Sequence, residues 1–182
     1  DKDEVNDYVQ FLVSGKYNSI IEQDEEEEIQ IDPETLFNIA VSYDKGVNGM
    51  IQDYSRAIEF YEKSAKKGNT YALINLGAHY EQGQGVPIDL QKAIECYEKA
   101  GKAGNPIGYY NLGIHYKDGT GVPKDDSKAF MYYTLSAEKG NSNGIKAMAD
   151  CYFKGEGCEK NCKKAMDLYQ QSASLGNVDS LF

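Results

Sequence analysis

Residues 70–105 read TYALINLGAHYEQGQGVPIDLQKAIECYEKAGKAGN, two short helical stretches joined by a glycine-rich elbow. The chain repeats this unit. The closing pair Gly104-Asn105 recurs at Gly68-Asn69, Gly140-Asn141 and Gly176-Asn177, always 36 residues apart. Ala57, Ala93, Ala129 and Ala165 keep the same period, as do Tyr61, Tyr97, Tyr133 and Tyr169, and Tyr80, Tyr116 and Tyr152. Self-similarity at a fixed period of tens of residues is the mark of a stacked solenoid, in which each unit buries its apolar face only against its neighbours.

The recurring positions have physical jobs. Gly83 and Gly85 permit a tight reversal, Pro87 cannot continue a helix, and Asp89 caps the next one. Ala93 is small enough for two helices to approach closely, while Tyr80 and Tyr97 fill the space between layers. Ala72, Leu73, Leu76 and Gly77 complete the expected core face of the first helix. Asp32-Pro33-Glu34 opens the first full unit, with Asp32 as N-cap and Pro33 at the first helical position. Its elbow, Tyr43 to Gly49, is one residue longer than Tyr80 to Gly85.

Leu76-Gly77, Tyr80, Gly83, Gly85-Val86-Pro87, Asp89, Lys92-Ala93, Tyr97 and Gly104-Asn105 resemble the Sel-one-like repeat, a helical-repeat family related to tetratricopeptide repeats. The likeness covers residues 33–177 as four units, 33–69, 70–105, 106–141 and 142–177. It implies an all-α fold, a right-handed α/α superhelical solenoid of antiparallel helix pairs used as a protein-interaction scaffold or adaptor. Residues 1–32 lie outside it. There, Val5, Tyr8, Val9 and Leu12 fall at helical spacing, predicting a helix from about Asp3 to Ser14. A second short helix carrying Tyr17, Ile20 and Ile21 follows, then five acids from Asp24 to Glu28. This segment reads as an acidic helical cap over the open end of the stack. Residues 178–182 read as the start of a fifth repeat helix, which leaves self-association through an unfinished unit open.

The net charge of −10 belongs to the N-terminal segment: residues 1–34 hold twelve acids and two lysines, the rest 17 of each sign. No cationic face offers itself to nucleic acid, so none is expected as a partner. No apolar run spans a bilayer, so no membrane insertion is expected. The four cysteines do not repeat identically from unit to unit, as they do in the disulfide-stapled, cysteine-rich branch of the family. Cys96 takes an apolar slot, Cys151 aligns with Ser42, His79 and His115, Cys158 replaces Val86 and Val122, and Cys162 replaces Leu90. We read them as small buried hydrophobes in a reducing, cytoplasmic setting.

The two helices of each unit differ in their outward faces. Glu95, Glu98 and Lys102 in the second helix, like Glu59, Glu62 and Lys66 or Asp167, Gln170 and Ser174, describe a solvated wall. The corresponding face of the first helix is apolar where water alone would favour polar residues. Glu34, Phe37 and Val41 occupy it in the first repeat, Tyr71, Ile74 and Ala78 in the second, and Ile107, Tyr110 and Ile114 in the third; in the fourth it turns polar with Asn143, Lys146 and Asp150. In helical-repeat folds of this kind the first helices line the concave side. The eight apolar residues of this face, Phe37, Val41, Tyr71, Ile74, Ala78, Ile107, Tyr110 and Ile114, are therefore the candidate partner-binding set, forming an apolar concave groove for a partner helix or peptide. Coverage by the chain's own neighbouring helices is the competing account.

His79 and His115 stack in register, but equivalent positions lie about 8–10 Å apart, too far for shared ligation at about 2.0–2.3 Å, so no metal or cofactor is expected. Asn38, Asn75 and Asn111 form a column suited to hydrogen bonds between repeats. Ser-x-x-Lys occurs at Ser42–Lys45, Ser64–Lys67 and Ser136–Lys139, as in penicillin-recognising enzymes. Some cysteine-rich members of the resembled family are ascribed penicillin-binding or hydrolase activity, which is the alternative reading. No second catalytic motif accompanies these serines, and no catalytic residue is assigned.

Overall fold

The computed structural model describes residues 31–177. The expected helix at Asp3–Ser14, the second short helix, the acidic run and residues 178–182 lie outside the described residues. Among those described there are eight α-helices of 13 residues each and no strand: α1 (Pro33–Lys45), α2 (Tyr54–Lys66), α3 (Thr70–Gln82), α4 (Leu90–Lys102), α5 (Pro106–Asp118), α6 (Asp126–Glu138), α7 (Ser142–Lys154) and α8 (Cys162–Ser174).

Each helix begins where a short polar side chain can take up its free amides. Asp32, Asn69, Asn105 and Asn141 cap the first helices of the four repeats, and Asp53, Asp89, Asp125 and Asn161 the second. Asp32 accepts from the Glu34 and Thr35 amides, each at 3.0 Å, with Pro33 at the first helical position. The Thr35 hydroxyl and amide hold its carboxyl below the usual carboxylate range. Each first helix ends on a left-handed glycine whose N–H returns to a carbonyl of the last turn, as Gly83 does to His79.

The chain forms two compact units, one ending at Pro87 and the other beginning at Ile88. In the first unit, α1 packs on α2 and α2 on α3. In the second, successive helices from α4 to α8 pack in order, and α5 also meets α7, first helix to first helix. This is the arrangement of an all-helical solenoid built from adjacent helix pairs. The alanine column is buried throughout, and Tyr61, Tyr97 and Tyr133 are buried with it. The approach is close: a Cβ at Gly113 would stand 2.3 Å from Cε1 of Tyr133, so the ring of α6 lies directly on the backbone of α5. Leu73, expected in the core, is only partly buried.

Serines complete three of the four pairs in a way periodicity does not reveal; the second repeat has Ala100 at that position. Ser64 Oγ donates to the Pro33 carbonyl at 2.6 Å, Ser136 Oγ to Pro106 at 2.8 Å and Ser172 Oγ to Ser142 at 2.7 Å. The last turns of α2, α6 and α8 are thereby tied to the first turn of the first helix of the same repeat, some 30 residues upstream.

Among the described residues no disulfide joins the four cysteines. Cys151 is buried beside Ala129 and Tyr133, with Cys158 packed against that cluster. Burial, and then the neighbouring Cys158, pushes the Cys151 thiol up to about 12. Cys162 departs from the expectation of a buried hydrophobe. It is exposed at the start of α8, where no described part of the chain packs over it.

Candidate partner-binding surface

The first helix of each repeat carries two kinds of side chain: those turned to its partner helix and those turned away. In the first unit, Phe37 on α1 stands 5.8 Å from the Tyr61 ring and 6.4 Å from the Tyr71 ring, centroid to centroid. Tyr61 is buried, whereas Tyr71 is 57% exposed. Phe37, Val41, Ile74 and Ala78 are partly buried. They are neither sealed from solvent nor fully open. In the second unit, Ile107, Tyr110 and Ile114 of α5 are also partly buried. Tyr110 leans on Tyr133 at 6.0 Å, and with Ile114 it flanks the cluster around Ala129, Tyr133 and Cys151. Each strip is therefore anchored on its inner edge by a buried tyrosine.

In the fourth repeat the same face is a polar network. Asp150 accepts from the Tyr169 hydroxyl at 2.5 Å and pairs with Lys146 at 3.5 Å. Burial, and then the bond to Asp150, raises the Tyr169 phenol above the ordinary tyrosine range. A shallow cavity of about 320 Å³ at this repeat's elbow is lined by Tyr152, Cys158, Glu159, Lys160, Asn161 and Lys164, mixing both charges with little apolar wall.

The histidine column is structural. His79 and His115 are buried. The Nδ1 of His79 lies 3.0 Å from the Gln84 carbonyl and that of His115 2.8 Å from Thr120. A carbonyl only accepts, so Nδ1 carries the hydrogen in each ring. The amides of Gln84 and Thr120 return to the carbonyls of the same two histidines at 3.2 and 3.0 Å, so each histidine clamps its elbow from both sides. On the far side, His79 Nε2 meets Asp44 at 3.2 Å, and Asp44 also accepts from Tyr61 at 3.4 Å. Asn75 donates to the Tyr61 hydroxyl at 2.8 Å, joining the second repeat to the first. Among the described residues no group of three or more His, Cys, Asp or Glu is placed to hold a metal ion.

The Ser-x-x-Lys serines are also accounted for. Ser64 and Ser136 are fully buried, with hydroxyl hydrogens committed to backbone carbonyls. Ser42 donates to Asn38 at 2.8 Å and accepts from Asn48 at 2.9 Å. Lys67 and Lys139 stand at helix C-caps, where a cation suits the helix dipole. Among the described residues no helix is long and apolar enough to cross a membrane.

The family model described as Sel1 repeat matches residues 33–69, 70–105, 106–141 and 144–177. Among solved structures, the chain is similar to c5321, a protective antigen present in uropathogenic Escherichia coli strains displaying an SLR fold. The identity is 32% with a TM-score of 0.76, over 82% of this chain and 32% of that one. It is also similar to a Sel1 repeat protein from Oxalobacter formigenes, 28% identical with a TM-score of 0.78, over 97% of this chain and 71% of that one. Helicobacter pylori cysteine rich protein B is 26% identical with a TM-score of 0.59, over 71% of this chain and 93% of that one. The chain spans about a third of the length of the Escherichia coli protein. No curated protein matches it.

Proposed function

The chain belongs to the Sel1 repeat family, whose members generally serve as protein-interaction scaffolds, and from that premise we propose that it captures a partner helix or extended peptide on the outward faces of its first helices. In the first unit the contact set is Phe37, Val41, Tyr71, Ile74 and Ala78; in the second it is Ile107, Tyr110 and Ile114. The observation that carries the reading is Tyr71, a large aromatic that is 57% exposed beside Phe37 on a helix face where water alone would favour polar side chains. Aromatic side chains held by a rigid neighbour dominate binding energies at protein interfaces. The partner would present apolar anchors at helical or alternating spacing. The role is non-catalytic, and the commitment of the Ser64 and Ser136 hydroxyls to carbonyls supports it.

The test is a selection from displayed helical and extended peptide libraries against the whole chain, followed by titration of the best binder. Tyr71→Asp should weaken that binder by at least about tenfold, the loss of a single well-placed aromatic, while thermal melting stays unchanged. Equal affinity of the variant, or binders that compete only at other surfaces, would overturn the assignment.

A further inference from the structure

Two of the positions at which the fourth elbow differs from the second and third have become cysteine. Where His79 and His115 clamp their elbows, the fourth repeat has Cys151; where Val86 and Val122 follow the second elbow glycine, it has Cys158. The backbone is kept. The Gly155 and Glu156 amides donate to the Cys151 carbonyl at 2.8 and 3.1 Å, as those of Gly119 and Thr120 donate to His115 at 2.9 and 3.0 Å. The Asn161 amide donates to the Tyr152 carbonyl at 2.8 Å, closing the loop that carries Cys158 back toward α7. What is lost is the ring. No imidazole spans this elbow, and a thiol is only a weak donor in its place.

The fold brings the two cysteines into one cluster. Cys151 is 4% exposed beside Ala129 and Tyr133, and Cys158 packs against the same group. Cys158 also lines the shallow cavity at this elbow, so one member of the pair is reached from solvent and the other is not. Cys162 occupies a slot that faces the other way. Its counterpart Leu90 meets the elbow of the following repeat, with Cβ 2.8 Å from where a Cβ at Gly121 would stand. Gly157, next to Cys158, lies instead against the Asp126 carbonyl at the start of α6, in the preceding repeat.

We propose that Cys151 and Cys158 are a redox pair, closed to a disulfide by hydrogen peroxide and reopened by a thiol reductant, which replaces the histidine clamp in the fourth elbow. First the Cys158 sulfur attacks one peroxide oxygen. The S–O bond forms as the O–O bond breaks, and the second oxygen leaves with the thiol proton as water. Then the Cys151 sulfur attacks that of Cys158: the S–S bond forms, the S–O bond breaks, and the departing hydroxide takes the Cys151 proton as a second water. The sulfurs together lose two electrons and the peroxide gains them. Burial raises both thiols, with Lys164 opposing it at Cys158, so closure quickens as the pH rises. The pair includes none of the eight residues assigned to partner capture, so failure of either reading leaves the other standing.

Hydrogen peroxide added to the whole reduced chain, followed by alkylation, trypsin and mass spectrometry, reads the pairing. Cleavage after Lys154 and Lys160 puts Cys151, Cys158 and Cys162 on three different peptides. The wild type and Cys162→Ser should both join the Cys151 and Cys158 peptides, with the link lost on adding dithiothreitol. Cys151→Ser should leave Cys158 as a sulfenic acid captured by dimedone, and Cys158→Ser should leave Cys151 unmodified. The wild-type map decides the pairing even where the buried Cys151→Ser change unsettles the fold. Hydrogen exchange at the Gly155, Glu156 and Asn161 amides should slow by about tenfold in the oxidised wild type, and not in Cys158→Ser treated alike. A link between Cys158 and Cys162, a link between two chains, or no link in the folded protein would overturn the pair. Linkage with unchanged exchange would overturn its role as a clamp.

Discussion

Tyr61 and Tyr133 fill the space between helices with their phenols out of water, and burial is the main reason both hydroxyls resist ionisation. For Tyr61 the neighbouring Asp44 carboxylate adds to that; for Tyr133 the next contribution is Cys151. Both phenols are raised above the ordinary value of about 10. The sign follows from linkage. Below the unfolded value both states hold the proton and stability does not vary on this account. Above it the unfolded chain releases protons that the folded chain keeps, so stability falls as pH rises. With the Tyr169 phenol and the Cys151 thiol also raised, four such groups give a limiting slope of about 5 kcal/mol per pH unit. Urea unfolding measured from pH 9 to 11 should therefore fall gently at first, through the thiol, and then steepen as the phenols join. Tyr133→Phe should reduce the steep slope by about a quarter while lowering the plateau little. A slope unchanged in that variant would show the phenol to be titrating freely in the folded chain.

At the scale of the element, the elbow is where backbone conformation and packing make separate demands. Gly140 ends α6 with φ +81° and has open space around it, whereas Gly157 holds φ +71° against the Asp126 carbonyl. Alanine at either must adopt a left-handed conformation, costing about 1–2 kcal/mol. At Gly157 it must also push two repeats apart, adding about 1–3 kcal/mol. Urea denaturation of Gly140→Ala and Gly157→Ala should separate the two terms; equal losses would mean that the elbow gives way without resistance. This difference also marks the limit of what the sequence tells a reader. Caps, elbows and the alanine and tyrosine columns are legible, because each is a local demand repeated four times. The serine column is visible as a pattern, but its partners lie about 30 residues upstream and meet it only once the helices pair. The histidine clamp was within reach, since His79 and His115 each bond a carbonyl five residues on. Cys162 departs from its apolar slot because burial there depends on what packs over the start of α8, and no described residue does. The apolar face of the first helices was legible as composition. Its degree of openness was not, since that depends on how far Tyr61 and Tyr133 reach beneath it.

For the whole molecule, a stack held by nearest-neighbour contacts has no single centre whose loss unfolds everything together. The contribution of each helix should follow what lies on either side of it. In the second unit, α5 packs on α4, α6 and α7, and α6 on α5 and α7, while α7 is the main neighbour of α8 among the described elements. Its buried residues are Ala165 and Ser172, against Ala57, Ile58, Phe60, Tyr61 and Ser64 in α2. Hydrogen exchange should therefore find the amides of α8 opening locally, well before those of α5 and α6. Substitutions should respect the same gradient. Met166→Asp, at an uncovered position, should change stability by no more than about 0.5 kcal/mol. Ile94, at the equivalent position of α4, is 8% exposed, with its Cδ1 3.0 Å from where a Cβ at Gly121 would stand. Ile94→Asp places a carboxylate beneath that elbow and should cost more than about 3 kcal/mol. Uniform protection across α5 to α8, together with equal penalties at Met166 and Ile94, would mean that α8 is covered as completely as its predecessors. In that case the repeat-to-repeat contact would not be what sets stability along the chain.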